Sequence, residues 1–86
     1  MAQITWTKLD SSNVSDATYN PDRKIMALRF HNGGLYTYEG VDEDVYTDLV
    51  HAESVGRFLA QQIKGRYDYQ RWFSDDELSR YLVGSK

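Results

Sequence analysis

Up to residue 39 the apolar side chains of this chain alternate with polar ones; beyond residue 41 they recur three and four positions apart. A period of two marks a strand with one buried face, and a period near 3.6 marks an amphipathic helix. This switch constrains the fold more than any other feature. Strands come first and helices follow, which points to an α+β domain. The chain has 86 residues, and one of this size buries only roughly 60–65% of the surface its unfolded form exposes. Residues 1–86 carry no linker, low-complexity run or internal repeat. They are read as a single domain, a small antiparallel sheet of three to four strands covered on one face by two or three helices.

Within the first half, Ile4 and Trp6 alternate with threonines, so residues 3–8 read as a strand. Residues 14–19 read as a second, interrupted at Ser15-Asp16. Asn20-Pro21-Asp22-Arg23 fits a type I turn, and Met26, Leu28 and Phe30 then alternate along a third strand. His31-Asn32-Gly33-Gly34 signals a hairpin that returns through residues 35–39. A two-residue Asn32-Gly33 loop would set Tyr36 and Tyr38 opposite Arg29 and Ala27. A three-residue loop with Gly34 left-handed pairs Phe30 with Tyr36 and Leu28 with Tyr38. The second register is expected, because it gathers Met26, Leu28, Phe30, Tyr36 and Tyr38 on one buried face.

In the second half, Asp42 is placed to cap a helix, with Glu43 and Asp44 favourable in its first turn and Val41, Val45, Leu49 and Ala52 as its apolar stripe. Ser54 starts another, which carries Val55, Phe58, Leu59 and Ile63 inward and stops at Gly65. On regular α-helical winding Arg57 and Lys64, two turns apart, share its polar face. Residues 66–72 read as extended or irregular. Ser74 and Glu77 form a capping box, Phe73 and Leu78 stand at hydrophobic-staple positions, and a last helix runs over residues 75–83. Its apolar stripe, Leu78, Tyr81 and Leu82, is too short to persist alone, so it must dock on the sheet or on a second copy of the chain. A homodimer is one expectation from this.

Apolar residues make up 41% and charged ones 27%, which excludes wholesale disorder. No apolar run is long enough to cross a bilayer, the first residues do not read as a signal peptide, and cysteine is absent. A cytoplasmic protein, neither inserted in nor bound to a membrane, is the expectation. The net charge of −3 is unevenly spread. Glu39, Asp42, Glu43, Asp44, Asp48 and Glu53 fall together without a Lys or Arg among them, and Arg57, Lys64, Arg66 and Arg71 follow with only Asp68 against them. A uniformly basic coat for nucleic acid is ruled out, whereas a local basic patch is not.

Catalytic readings find little to stand on. His31 and His51 are not at ligand spacing, and Asp42-Glu43-Asp44 lacks the glycine and distal glutamate of a calcium loop. No phosphate-binding glycine motif or nucleophile elbow occurs, and Ser11-Ser12 has no base assigned to it. The expectation is no enzyme, no metal and no cofactor. Binding features are richer. Arg57, Lys64, Arg66, Tyr67, Tyr69, Arg71 and Trp72 interleave cations with rings, a pattern that holds phosphates while rings stack on bases. The plainer alternative packs Tyr67 and Trp72 on the sheet and leaves the arginines as a solvated rim. Tyr36 and Tyr38 are open to both readings, as core or as ligand-facing rings.

Ser11-Ser12-Asn13-Val14, Tyr19, Phe30-His31-Asn32-Gly33-Gly34-Leu35-Tyr36-Thr37-Tyr38, Val41, the run from Ala52 to Phe58, and Ile63-Lys64-Gly65-Arg66-Tyr67 together resemble the KTSC domain. That family is named from an extension of some lysyl-tRNA synthetases and also occurs as short bacterial and phage proteins. The likeness covers residues 11–71, leaving 72–86 as a helical extension. Its pattern falls on Ser11, Ser12, Tyr36, Tyr38, Ser54, Gly56, Ile63 and Tyr67. The family has no settled activity, and the resemblance implies RNA binding at most. Residues and resemblance together give a non-catalytic module for a nucleotide-type ligand or single-stranded RNA, with Arg57, Lys64, Arg66, Tyr67, Arg71, Tyr36, Tyr38, Ser54 and Gly56 as candidate contacts. The alternative is a module for a protein partner, an adaptor or inhibitor of the kind a phage directs at a host factor, using the acidic and closing helices.

Overall fold

Ile25-Met26-Ala27-Leu28 is apolar on both of its alternating sets, and all four residues are buried. A strand of that kind needs cover on both faces. The computed structural model, which describes residues 4–84, supplies it. Strands β1 (Thr7–Lys8), β2 (Val14–Asn20), β3 (Ile25–Phe30), β4 (Leu35–Glu39) and β5 (Tyr69–Trp72) form one sheet in that order, every neighbouring pair antiparallel. Helices α1 (Glu43–Val50) and α2 (Val55–Phe58) lie between β4 and β5, α2 runs on as a π-helical turn (Leu59–Ile63), and α3 (Asp75–Val83) closes the chain. The α+β class is as expected. The sheet has five strands rather than three to four, and the helices cover two faces rather than one.

One core lies between the sheet and α1–α2, built on Val14, Ala17, Met26, Leu28, Tyr38, Leu49, Val55, Leu59 and Ile63. A second lies beneath α3, where Leu78 and Leu82 meet Ile25, Ala27 and Leu35, with Trp6, Trp72 and Tyr81 around them. The last helix therefore docks within its own chain, and its stripe needs no second copy. Strand β2 serves the first core through a bulge between Val14 and Asp16. The extra residue keeps Val14 and Ala17 on the same face, which explains the broken alternation at Ser15-Asp16. Strand β1 is shorter than the expected 3–8, of which Gln3 lies outside the described residues.

The hairpin loop has three residues, but they are His31, Asn32 and Gly33. Gly33 takes the left-handed backbone (φ 92°), and Gly34 returns the first ladder bond by accepting from the amide of Phe30 at 2.8 Å. Leu28 consequently pairs with Tyr36 and Met26 with Tyr38, two residues from the expected register. A slip of two preserves the face, so the same five residues still point together.

Two helix starts differ from expectation. Asp42 stands at the N-cap of α1 but makes no side-chain cap bond; its carboxylate instead pairs with Lys24 at 3.2 Å. Ser74 does cap α3, accepting from the Glu77 amide at 3.4 Å. The staple does not form: Phe73 is 82% exposed while Leu78 is fully buried. Phe73 follows the last residue of β5, and its ring meets the Arg71 guanidinium at 5.1 Å instead.

Candidate functional site

Ser54 accepts a bond from the Arg57 amide at 3.2 Å and opens α2 as expected. Regular winding lasts one turn. Lys64 then donates its amide to the carbonyl of Leu59 at 2.9 Å, an i→i−5 bond, and adopts an extended backbone. Gly65 (φ 79°) turns the chain, and the carbonyl of Asp68 accepts from the Glu39 amide at 2.9 Å, which ties the segment to the sheet. The wider π turn changes the phase of everything after it. Arg57 and Lys64 therefore line different hollows. Arg57 and Ser54 open on a shallow hollow beside Phe58 and Gln61. Lys64 lines a different cleft of about 530 Å³, across from Tyr36 and Tyr38.

Tyrosine dominates that cleft. Tyr36 and Tyr38 come from β4, Tyr69 from the neighbouring edge strand β5, and Tyr67 with Gly65 and Lys64 from the connecting segment; Phe30 and Asn32 close the hairpin end. Tyr38 is 5% exposed, whereas Tyr69 beside it is 66% exposed. The ring of Tyr69 lies 6.0 Å from that of Tyr36 and 6.2 Å from that of Tyr38, and Phe30 meets Tyr36 edge-on at 5.4 Å. Burial first, then the neighbouring Tyr36 and Tyr69, push the Tyr38 phenol up to about 12. It stays protonated at neutral pH, a hydrogen-bond donor rather than an anion.

Arg71 pairs across the sheet with Tyr36, and its guanidinium stands 5.7 Å from the centre of that ring and 5.1 Å from that of Phe73. Arg66 donates from Nε to the carbonyl of Gln61 at 3.3 Å and borders a shallower hollow next to the cleft, together with Asp68. Among the described residues, none of Lys64, Arg66 and Arg71 forms a salt bridge; the pairs formed are Lys24 with Asp42 and Arg29 with Asp16 and Asp75. Gly56 has a packing role. A Cβ there would sit 2.3 Å from the Asn13 side-chain nitrogen, so the glycine lets α2 approach the loop before β2.

The structure thus brings Tyr36, Tyr38, Lys64 and Tyr67 together, places Arg71 and Arg66 at the border, and removes Arg57, Ser54 and Gly56. Trp72 faces the other way, donating from Nε1 to the buried Thr37 hydroxyl at 2.8 Å. Phe30, Asn32 and Phe73 were not among the expected contacts. For Phe73 a signal was available in the alternation of Tyr69, Arg71 and Phe73, although β5 itself ends at Trp72. Ser11 behaves as a turn residue, its hydroxyl accepting from the amides of Asn13 and Val14. His31 and His51 each engage a backbone carbonyl, and no group of metal-ligating side chains occurs among the described residues.

The family model for the KTSC domain matches residues 10–67. A protein of Tsukamurella paurometabola is 42% identical over 59 residues, covering 69% of this chain and 88% of its own length. An uncharacterized protein of Stutzerimonas stutzeri is 36% identical over 67 residues, covering 78% of this chain and 93% of its own. The crystal structure of a KTSC domain protein from Yersinia pestis is similar with a TM-score of 0.78 at 28% identity, over 83% of this chain and all of that one. Tyr36, Tyr38, Lys64 and Tyr67 lie inside the matched span; Tyr69, Arg71 and Phe73 lie beyond it.

Proposed function

The chain belongs to the KTSC domain family, and from that premise we propose that it is a cytoplasmic, non-catalytic binding module for a nucleotide-type ligand, with the tyrosine cleft as the base site. One observation carries this reading: an open cleft of about 530 Å³, lined by four tyrosines, includes a lysine that no carboxylate neutralises among the described residues. Aromatic faces accept any base, and an ammonium group meets a phosphate as a point charge. Tyr69 offers the exposed ring, Tyr36 the half-buried one beneath it, and Lys64 the charge. The protonated Tyr38 hydroxyl adds a donor at the floor.

The cleft is small and carries few cations, which suits a ligand held by one base and its phosphates better than a duplex needing a broad basic surface. A protein partner draws support from a different place, the exposed carboxylates of Glu43, Asp44 and Asp48 along α1. That support is thinner, because α3, the other half of that surface, buries its apolar stripe against the sheet.

A thermal-shift titration against nucleoside monophosphates and short single-stranded RNAs tests the proposal. A binder at 100 times its Kd adds about 2.7 kcal/mol to the folded state. Lys64→Ala should abolish the shift without lowering the stability of the free protein, since Lys64 is exposed. An unchanged shift in Lys64→Ala, or no shift with any of these compounds, would overturn it.

A further inference from the structure

We infer that the ligand of this site is longer than one nucleotide, and that the exposed edge of the sheet carries the second part of a single-stranded nucleic acid. The inference rests on the reading of the tyrosine cleft as a base site and extends it outward along β5.

Tyr69 and Arg71 pair with Tyr38 and Tyr36 on the cleft face of β5, and Phe73, one residue past the strand, meets the Arg71 guanidinium with its ring at 5.1 Å. Strand geometry spaces Tyr69 and Arg71 about 6.6 Å apart, and Phe73 continues the row beyond the end of β5. Tyr69 is 66% and Phe73 82% exposed. A lone exposed aromatic needs no explanation. Here two exposed rings flank a guanidinium, and that guanidinium is already aligned with both Tyr36 and Phe73. The row begins at the wall of the cleft and ends clear of it, since Phe73 does not line the cleft. Among the described residues Phe73 takes no part in either core, and its ring meets only the Arg71 guanidinium in the aromatic and cation contacts.

A ring, a cation and a second ring in line match a base, a phosphate and a further base of an extended strand. Bases stacked in a duplex strand advance about 3.4 Å each. The longer spacing of the row therefore suits unstacked bases splayed onto separate rings, the usual manner of single-strand recognition. Lys64, Arg66 and Arg71 supply positive charge on this side against Asp68, and β5 ends the sheet, so no further strand blocks the approach. A mononucleotide would occupy the cleft and leave Phe73 unused.

Fluorescence-anisotropy competition with uridine monophosphate, a uridine tetranucleotide and a thymidine deoxytetranucleotide tests this on the wild type and on Phe73→Ala. The tetranucleotide should bind more tightly than the monophosphate. Phe73→Ala should weaken the tetranucleotide about 5- to 150-fold, the range for loss of one stacked base, and leave the monophosphate unchanged. The two tetranucleotides separate RNA from single-stranded DNA, and a gain with length for either supports the inference. Equal affinity for monophosphate and tetranucleotides overturns it while leaving the cleft as a base site, as does a tetranucleotide affinity untouched by Phe73→Ala. Binding of none of the three probes overturns both readings and turns attention to a protein partner.

Discussion

Toward α3, Leu78 and Leu82 cover the apolar residues of β3 and β4, and Trp72 folds its indole down to the Thr37 hydroxyl. Toward α2, the same sheet is covered over β2 and β3, but the helix ends at Ile63 and leaves β4 and β5 facing an open cleft. The residue types follow the difference. Under α3 the contacts are aliphatic and indole groups with one phenol, Tyr81, whereas four tyrosines line the cleft, with apolar faces and hydroxyls that tolerate water. A closed face rewards packing; an open one demands side chains stable both wet and covered. The contrast teaches that aromatic residues on one small sheet divide into those the fold consumes and those it displays, and that the division follows where a helix stops.

Substitutions test the division. Tyr38→Ala should cost about 3–5 kcal/mol, the range for removing a buried aromatic, and Leu78→Ala about 2–5 kcal/mol. Denaturant unfolding measures both, and a loss below 1 kcal/mol for Tyr38 would move it from the consumed class to the displayed one. Alkaline titration comes next. The folded state holds the Tyr38 phenol at about 12 against an ordinary 10, so the protonated form is favoured by folding. Its contribution is fully present below pH 10 and is lost as pH rises toward 12, at up to about 1.4 kcal/mol per pH unit. Tyr38→Phe should flatten that fall, and an equally steep decline in the variant contradicts the assignment. Ser54→Ala removes the cap of α2 and should cost about 1 kcal/mol on the same denaturant curve. Smallest of all, Tyr69→Ala should change stability by less than about 0.5 kcal/mol although its ring neighbours Tyr38. A larger loss would show that the cleft is packing after all.

Much of this arrangement was legible in the residues. Alternation found β2, β3 and β4, and the Ser74 capping box with the spacing of Leu78 and Leu82 placed α3 at its observed bounds. The second covered face was also written in Ile25 and Ala27, whose apolar character a one-sided sheet does not need. The register was not recoverable, because a shift of two leaves every side chain on the same face and only the backbone of Gly33 decides it. Strand β5 hid because Tyr69-Gln70-Arg71-Trp72 is half polar and its partner strand lies far upstream. The expected shared face of Arg57 and Lys64 does not form: seven residues make two turns only in an α-helix, and the Lys64–Leu59 bond breaks that spacing.

Spatial order in the sheet follows chain order, yet the steps are unequal in length. Strands β2, β3 and β4 join through loops of a few residues, while β4 and β5 are separated by residues 40–68. Closing that longer loop carries the larger entropic cost, so β5 pairs after the central hairpins have formed. Four residues long and bonded on one side only, it also opens more readily than β2, β3 or β4. Hydrogen-exchange protection should therefore fall from β3 to β5. The cleft is then bounded by one wall that persists to global unfolding and one that detaches sooner, which makes the lifetime of the site shorter than the lifetime of the fold.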